Sequence, residues 1–519
     1  MMTANLHHNT PTLAVYDPRS QAIRSVAYHR AQPDETPQSH ITRQAYNASG
    51  HLVAGWDPRQ WVTEGDPSST NVHALSGGSL LSSSADAGWK AGMLGNANEL
   101  RFEWDGRQLL RQVDYDDQLR PTTITEQVDG APPVVSERMV YGEDGVEFAS
   151  RNQCGRLIRH DDPAGSLHAD AYDLRGSRVS ESRHFTNDLS QPDWPVSLNE
   201  RDQKLVADGE TTIWQFDALG ALLSLADARE NRRLFAYDMA GQLLRINLKR
   251  DGLPDAPLLS DRRYSATGQI EHETAGNGVE TTRRHDAQDG RLLQLTSARS
   301  GRTFQDLVYD YDPGGNISRI HDFVPATRYF KNQRTDAINH YRYDSLSQLV
   351  QASGRECIAS ADAMTAYTQT FSYDQAGNLL RLVHEGVQGY TRDMVIAPSS
   401  NRSLLKPQAG EADFINSFDE NGNLRVLAPG AQAMLWDCRN QLSKVIQVIR
   451  NDEQNDDELY RYDAGGQRLR KVLQRKTKTA TATREVRYLP GLEIHDTGNN
   501  EVHYVISVDT GNCIVRAVH

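Results

Sequence analysis

Tyr237-Asp238-Met239-Ala240-Gly241-Gln242-Leu243 is one copy of a pattern that recurs along this chain. The pattern is an aromatic residue, Asp, two variable residues, Gly, one variable residue and, in most copies, Leu or Ile. Other copies begin at Phe216, Tyr311, Tyr373, Phe418 and Tyr462, and looser ones begin at Trp104, Tyr115, Tyr172, Tyr264, His285, Tyr343 and Trp436. A recurring unit of this kind sets the architecture of a chain, so it takes precedence over any single residue.

The repeated unit has the turn chemistry of a β-hairpin. A type I turn favours Asp, Pro and Gly at its first, second and fourth positions, and Asp312-Pro313-Gly314-Gly315 fills those positions. The last glycine can take a positive φ and form the bulge that closes a short hairpin, and the flanking aromatic residue and Leu then pair across the strands. We expect each Asp side chain to hold its turn by accepting backbone N–H groups. The residues with this expected structural role are Tyr237, Asp238, Gly241, Tyr311, Asp312, Gly315, Tyr373, Asp374, Gly377, Tyr462, Asp463 and Gly466.

The composition favours a β-sheet wall with much surface over a compact globule. Apolar residues make up 38% of the 519 residues, and Tyr (20) is nearly twice as frequent as Phe (11). The mean hydropathy is -0.65. A solid core in a chain this long needs more Leu, Ile and Phe, whereas Tyr suits strands with one packed and one wet face.

Charge, cysteine content and the N-terminus exclude several classes of protein. The net charge of -13 argues against nucleic acid or an anionic membrane as a partner. The four cysteines lie far apart and support neither a disulfide framework nor a zinc site. No run of apolar residues is long enough for a membrane span, and the N-terminus lacks the apolar segment of a secretory signal. If the protein works outside the cell, we expect it to leave by a non-classical route.

A search for chemistry finds no active site. The chain has no GxSxG, no HExxH, no P-loop and no GxGxxG that opens a helix. The repeated Asp residues are explained by the turns, and no two of them are paired as an acid and a base. We therefore predict no catalytic, cofactor-binding or metal-binding residues.

The repeats suggest two regions. Residues 1–100 are irregular, with Asp17-Pro18-Arg19 and Trp56-Asp57-Pro58-Arg59 resembling degenerate hairpin turns. Residues 101–519 form the repeat region. Within it, residues 327–334 lack turn residues, so we expect a short helix or an irregular crossover there.

These motifs also resemble a known family. The Tyr-Asp units are similar to the YD or Rhs repeats of bacterial polymorphic toxins and of teneurins. The more specific segments resemble the C component of insecticidal toxin complexes along essentially the whole chain. These segments are Tyr329-Phe330-Lys331-Asn332-Gln333-Arg334, Tyr341-Arg342-Tyr343-Asp344-Ser345-Leu346, Tyr460-Arg461-Tyr462-Asp463 and Arg487-Tyr488-Leu489-Pro490-Gly491-Leu492-Glu493.

The resemblance implies an all-β fold of hairpins in a spiralling sheet that forms part of a hollow shell. In that family the B and C components close the shell around a toxic polypeptide, and the shell docks on a pentameric A component that delivers the cargo into a host cell. The implied partners are a B component, contacted by residues 1–100, and indirectly the A component. The implied location is extracellular, after synthesis in the bacterial cytoplasm.

The sequence departs from the family in one respect. The family continues into a core with an aspartyl autoprotease and a variable toxin, and neither segment is expected in these 519 residues. We therefore expect a structural subunit and not an enzyme. The alternative is a cell-surface Rhs-repeat module that binds carbohydrate or neighbouring cells. In that alternative Trp104, Trp214 and Trp436 could stack on sugar rings.

Overall fold

The computed structural model of the chain describes residues 6–330, 333–357, 364–407, 410–426, 432–450, 455–477, 480–499, 501–510 and 514–518. Strands account for most of these residues, and the helices are short. The predicted all-β fold of repeated hairpins is confirmed.

The first strands are β1 (Leu13–Tyr16), β2 (Ala22–His29), β3 (Gln38–Tyr46), β4 (Leu52–Trp56), β5 (Ser69–His73), β6 (Ser79–Ser84), β7 (Gly88–Leu94), β8 (Leu100–Asp105), β9 (Leu109–Tyr115) and β10 (Pro121–Val128). They are followed by β11 (Val134–Tyr141), β12 (Leu157–Asp162), β13 (Gly165–Tyr172), β14 (Arg178–Phe185), β15 (Glu210–Phe216), β16 (Leu222–Ala226), β17 (Arg232–Tyr237), β18 (Leu243–Lys249), β19 (Ala256–Tyr264) and β20 (Ile270–Ala275).

The chain continues with β21 (Glu280–His285), β22 (Leu292–Arg299), β23 (Arg302–Tyr311), β24 (Ile317–Asp322), β25 (Arg328–Phe330), β26 (Gln333–Thr335), β27 (Ile338–Tyr343), β28 (Leu349–Cys357), β29 (Met364–Tyr373) and β30 (Leu379–Glu385). The last strands are β31 (Tyr390–Ile396), β32 (Ser403–Leu405), β33 (Ala433–Trp436), β34 (Leu442–Val448), β35 (Asp456–Tyr462), β36 (Arg468–Lys476), β37 (Thr481–Leu489), β38 (Leu492–Asp496), β39 (Val502–Asp509) and β40 (Ile514–Val518).

The helices that lie wholly within the described ranges include α1 (Pro58–Thr63), α2 (Val146–Ala149), α3 (Leu198–Asp202) and α4 (Phe414–Ser417). The predicted turn at Trp56-Asp57-Pro58-Arg59 is wrong, because these residues begin α1. Asp57 is the N-cap of that helix and accepts the backbone N–H groups of Arg59 and Gln60, and Pro58 occupies the first turn. Asp at the N-cap and Pro at the next position favour a helix start as much as a turn.

The described residues of the 327–334 segment form strands and not the predicted helix or crossover, and residues 331 and 332 lie outside the described part of the chain. Strands β25 and β26 lie in this segment and pair with each other in an antiparallel arrangement, apart from the main succession of strands. The strand that precedes them, β24, pairs directly with β27. The segment is therefore a small hairpin inserted between two repeats.

Most strands form a meander in which consecutive strands pair; the exceptions are the β25–β26 insertion and the break between β32 and β33, which lie in different sheets. Every recorded strand pair is antiparallel, from β1 with β2 to β39 with β40. The repeated unit sets the register, because Tyr237 lies opposite Leu243, Tyr311 opposite Ile317 and Tyr373 opposite Leu379. In each of these pairs the register shifts by a bulge just before the tyrosine.

The chain divides into two compact units. Unit 1 comprises Met1–Gly88 and Asp261–Ile415, and unit 2 comprises Trp89–Ser260 and Asn416–His519. Each unit thus combines two segments that are far apart in sequence.

Unit 2 contains a hydrophobic core between two sheets. Ile246 and Leu248 of β18 and Leu259 of β19 pack in one cluster with apolar residues of the eight-stranded sheet β33–β40. The members from that second sheet are Leu469, Leu489, Leu492, Ile494, Ile506 and Val508. We call this cluster the inter-sheet core. Burial of apolar surface on this scale is the main term that holds the two sheets together.

Unit 1 joins its two segments mainly through polar contacts. Arg59 of α1 donates to the carbonyl of Ser400 at 2.7 Å, and Gln60 donates to the carbonyl of Ser399 at 2.8 Å. Ser345 donates to the carbonyl of Tyr28 at 2.8 Å. These contacts span more than 300 residues of sequence. Hydrogen bonds to backbone carbonyls therefore close this unit where apolar residues are few.

Candidate functional site in the hairpin turns

The repeated Asp residues lie at the first position of hairpin turns. Oδ1 of Asp238 accepts the backbone N–H groups of Ala240 and Gln242, both at 2.8 Å. Oδ1 of Asp374 accepts those of Ala376 at 2.9 Å and Asn378 at 2.8 Å. Asp312 and Asp463 each accept the N–H group four residues on, at 2.9 and 2.8 Å. One carboxylate oxygen thus satisfies N–H groups that the strand ladder leaves without a partner.

The repeated Gly residues close the same turns. The N–H group of Gly241 donates to the carbonyl of Asp238, and the N–H group of Asp238 donates to the carbonyl of Gln242. Gly241 has a φ of +80° and Gly377 a φ of +84°, in the left-handed region. No atom lies within 4 Å of the position that a Cβ of Gly241 would take, so backbone conformation and not space requires glycine there. Gly315 and Gly466 have φ values of +93° and +82°.

The repeated Tyr residues bind the preceding hairpin. The hydroxyl of Tyr237 donates to the carbonyl of Leu222 at 2.9 Å, and that of Tyr373 to the carbonyl of Leu349 at 2.9 Å. The equivalent bonds in two other repeats are Tyr311 to Leu292 at 2.8 Å and Tyr462 to Leu442 at 2.8 Å. Trp436 makes the same contact through its indole N–H, to the carbonyl of Leu424. In these repeats the aromatic residue therefore ties its hairpin to the one before it.

The sequence pattern predicts cross-strand pairing of the tyrosines, but it does not predict this hydrogen bond of the hydroxyl group. The acceptor is the Leu that begins a strand of the preceding hairpin, between 15 and 24 residues earlier. The recurrence of Leu after the turn glycine is the signal that could have indicated it. Burial raises the pKa of Tyr237, Tyr311, Tyr373 and Tyr462, so these hydroxyls stay protonated and act as donors.

Neighbouring turns are also joined directly. Gln21 donates to the carbonyl of Gly50 at 2.7 Å, and Gln269 donates to the carbonyl of Gly290 at 2.7 Å. Each glutamine directly follows the turn residue with positive φ in its own hairpin, and each acceptor is the glycine of the next turn. Glutamine side chains therefore join neighbouring turns of unit 1 at these two places, and we call the two contacts the turn ladder.

One turn of unit 2 carries a buried charge network that no motif indicated. Nε of Arg439 donates to Glu126 at 2.7 Å, and Nη2 of Arg439 lies 2.6 Å from Glu137. Glu137 also contacts Nε2 of His160 at 2.6 Å. Burial opposes ionisation of Glu137, but the hydrogen bond from His160 and the charge of Arg439 hold its pKa below the usual value. We call these four residues the Arg439 network. It fastens the turn between β33 and β34 to strands β10–β12.

The three tryptophans proposed for sugar stacking have different surroundings. Trp104 stacks on Phe102 with ring centroids 5.9 Å apart. Trp436 is held by the hydrogen bond described above. Trp214 lines a cavity of about 390 Å³ together with Phe216 and Tyr488. In the described contacts of unit 2, these three tryptophans do not contact one another and do not form a single aromatic platform.

Among the described residues, no group of three or more His, Cys, Asp or Glu side chains is arranged to hold a metal ion. None of the helices in the described ranges has the length and apolar character needed to cross a membrane.

Tyr373→Phe is expected to lower the free energy of unfolding by about 0.5–1.5 kcal/mol, because it removes one hydroxyl donor and leaves a carbonyl without its partner. Tyr390→Phe is the matched control, because Tyr390 is exposed and its hydroxyl makes no recorded hydrogen bond in the described structure. Urea unfolding of the two variants measures the difference. Equal stabilities would show that the hydroxyl bond does not stabilise the repeat.

Because the turns are held by carboxylates, we expect the protein to lose stability in acid. The backbone N–H groups of Ala221 and Leu219 donate to Asp217 and hold the pKa of that carboxyl below its usual value. Because the folded-state pKa lies below the unfolded value of about 3.9, Asp217 contributes stability above that pH and loses it as the pH falls through the folded-state pKa. The pKa values of Asp17, Asp116 and Asp173 are also lowered by hydrogen bonds within their turns.

In Asp217→Asn, the thermal unfolding midpoint is therefore expected to fall less between pH 5 and pH 2 than in the wild type. The amide oxygen of Asn still accepts the turn N–H groups, but it does not titrate. Asp66→Asn serves as the control, because Asp66 is exposed and makes no recorded hydrogen bond within the described residues. An unchanged pH profile for Asp217→Asn would contradict this account of the turn.

Comparison with known proteins places these turns in context. No family profile matches the chain. Toxin subunit YenC2 of Yersinia entomophaga is 30% identical over 100% of this chain and 59% of its own length. Toxin subunit YenC1 of the same organism is 32% identical over 99% of this chain and 57% of its own length. The crystal structure of TcdB2-TccC3 superposes on 99% of this chain, and 26% of its own, with a TM-score of 0.92 and 30% identity. The chain thus spans less than two thirds of the curated relatives that it matches.

Proposed function

We propose that this chain, a Rhs-repeat protein related along its whole length to the C components of toxin complexes, forms part of a protein wall that encloses a toxic polypeptide for delivery into host cells. The observation that carries the proposal is the likeness to TcdB2-TccC3, which extends over 99% of the chain at a TM-score of 0.92.

The geometry of the repeats supports a wall. Several hairpins are bound to the one before them by a tyrosine hydroxyl, and two pairs of neighbouring turns are joined through the turn ladder. A sheet built in this way extends by adding hairpins without needing a thick core, as in other repeat architectures. Few apolar residues of unit 1 are buried, which fits a thin layer.

A long-range contact within unit 1 supports a curved wall. Arg59, which follows β4, contacts Ser400, which precedes β32 of the same sheet. A sheet whose early strands meet its late strands through side chains must curl. Curling of a twisted sheet also reduces the number of free sheet edges.

The proposed partner is a B component that completes the enclosure, with residues 1–100 in contact with it, and the proposed indirect partner is the A component. The family of C components supplies both proposals. We assign the chain a structural role with no catalytic residue. We also propose that it acts outside the bacterial cell as part of a secreted toxin complex, exported by a non-classical route.

The isolated chain is expected to self-associate and to bind an apolar-surface dye. Three neighbouring turn tips of unit 2 expose large apolar side chains: Leu174 is 89% exposed, Leu219 94% and Met239 107%. Exposed apolar side chains grouped in this way mark interaction surfaces. Light scattering after gel filtration measures the association. Leu174→Ser, Leu219→Ser and Met239→Ser combined should reduce it, and a wild-type monomer without dye binding would contradict the proposal.

A further inference from the structure

A cavity of about 390 Å³ lies within unit 1, between the loop that follows β2 and strands β27–β29. The residues that matter in it are Gln32, Arg342, Gln351, Thr370 and Ser372. The volume is within the range of small-molecule sites. Neither the turn ladder nor the proposed wall requires this cavity.

The floor of the cavity is a row of polar side chains across three strands. Arg342 of β27 lies opposite Gln351 of β28, and Gln351 lies opposite Thr370 of β29. Ser372 is two residues further along β29, so it faces the same side as Thr370. Thr370 and Ser372 are both exposed. Four hydrogen-bonding side chains thus line one face of the sheet.

Arg342 supplies a positive charge without a counter-ion. Its Nη2 donates to Oε1 of Gln32 at 3.1 Å, and its Nη1 lies 3.5 Å from Oε1 of Gln351. It forms no ion pair with any carboxylate of the described residues. Both amide oxygens face the guanidinium, and the amide N–H groups of Gln32 and Gln351 make no recorded bond within the described structure. These groups are available as further donors.

The carboxylate that lines the cavity, Asp344, makes its hydrogen bonds with other groups and forms no ion pair with Arg342 in the described structure. Asp344 is fully buried. Its Oδ1 accepts the N–H groups of Leu346 at 2.8 Å and Gln348 at 2.9 Å, and its Oδ2 contacts His29 at 3.1 Å. The nearby Glu35 accepts the backbone N–H groups of Ala31 and Gln32. The groups of the cavity that can still form hydrogen bonds are therefore mainly donors, and they lie beside the positively charged Arg342.

We propose that this cavity binds a monosaccharide that carries an anionic group, a carboxylate or a phosphate. Arg342 pairs with the anionic group, since a guanidinium forms bidentate hydrogen bonds with carboxylate and phosphate oxygens. The amides of Gln32 and Gln351 and the hydroxyls of Thr370 and Ser372 bind the ring hydroxyls. This inference does not depend on the proposed function.

The test is saturation-transfer NMR on the full chain with D-glucuronate, D-glucose 6-phosphate and neutral D-glucose as ligands. We expect at least one of the anionic sugars to bind and glucose to bind at least about tenfold more weakly, since a charged hydrogen bond contributes on that order. Binding of glucuronate alone assigns a uronic acid, and binding of the phosphate alone assigns a sugar phosphate. Equal binding of glucose, or no binding of any sugar at millimolar concentration, overturns the proposal.

Variants locate the site. Arg342→Gln should weaken binding of the anionic sugar about tenfold or more, and Thr370→Val should weaken it by a smaller factor. Arg302→Gln is the matched control, because Arg302 is an exposed arginine of the same unit without an ion pair in the described contacts and lies outside the cavity. Thermal midpoints confirm that the variants fold. Undiminished binding in both Arg342→Gln and Thr370→Val overturns the assignment to this cavity.

Discussion

Replacing Arg439 with Gln is expected to lower the free energy of unfolding by about 3–5 kcal/mol, the cost of removing one member of a buried ion-pair network. Arg439 is the cation between Glu126 and Glu137, whose side chains are 2% and 3% exposed. Removing the guanidinium leaves two carboxylates in a site of low dielectric, where their mutual repulsion and lost hydration both destabilise the fold. The turn between β33 and β34 then loses its anchor on strands β10 and β11.

Two comparisons isolate the effect of burial. Arg425→Gln removes an exposed ion pair with Glu420, at 3.6 Å, and should cost less than about 1 kcal/mol. The combination Arg439→Met, Glu126→Gln and Glu137→Gln should recover much of the loss, because it removes the buried charges together. Urea unfolding measures all three proteins. If Arg439→Gln were no more destabilising than Arg425→Gln, the Arg439 network would not be a structural anchor.

Leu492→Ala is expected to cost about 2–5 kcal/mol, as for other large-to-small substitutions at buried positions. Leu492 is 1% exposed and lies in the inter-sheet core with Ile246, Leu248 and Ile506. The substitution opens a cavity between the two sheets of unit 2, and neither sheet can close it without moving against the other.

The matched control for this variant is Leu219→Ala, at a turn tip where the leucine is 94% exposed. That change should alter the free energy of unfolding by no more than about 0.5 kcal/mol. Both variants lose the same atoms, so the difference between them measures burial alone. A similar small effect for both would mean that the inter-sheet core does not hold β33–β40 in place.

The hairpins could be predicted from the sequence because their causes are local. Asp238 and Gly241 act on residues within four positions of themselves, and the strand register follows from the bulge beside Tyr237. The same local chemistry failed at Asp57-Pro58, where the residues that suit a turn also suit a helix N-terminus. Local patterns therefore show where a strand ends, but they do not distinguish a hairpin turn from the start of a helix.

The contacts that join distant segments could not be predicted. Arg439 lies 313 residues from Glu126, and its turn looks like any other copy of the repeat. The cavity at Arg342 likewise combines Gln32 with residues 310 positions later. Nothing in a single sequence links such positions. The regularity of the repeats predicts a boundary near residue 100, which stays a prediction, while the two compact units follow from long-range contacts.

The central claim is that this chain is one part of a closed wall that needs a B component. The most direct measurement is co-expression with a B-component protein from the same organism, followed by gel filtration and negative-stain electron microscopy. The account predicts a stable one-to-one complex, seen as a closed hollow particle. A chain that elutes as a soluble monomer and does not associate would contradict the claim and favour the carbohydrate- or cell-binding module instead.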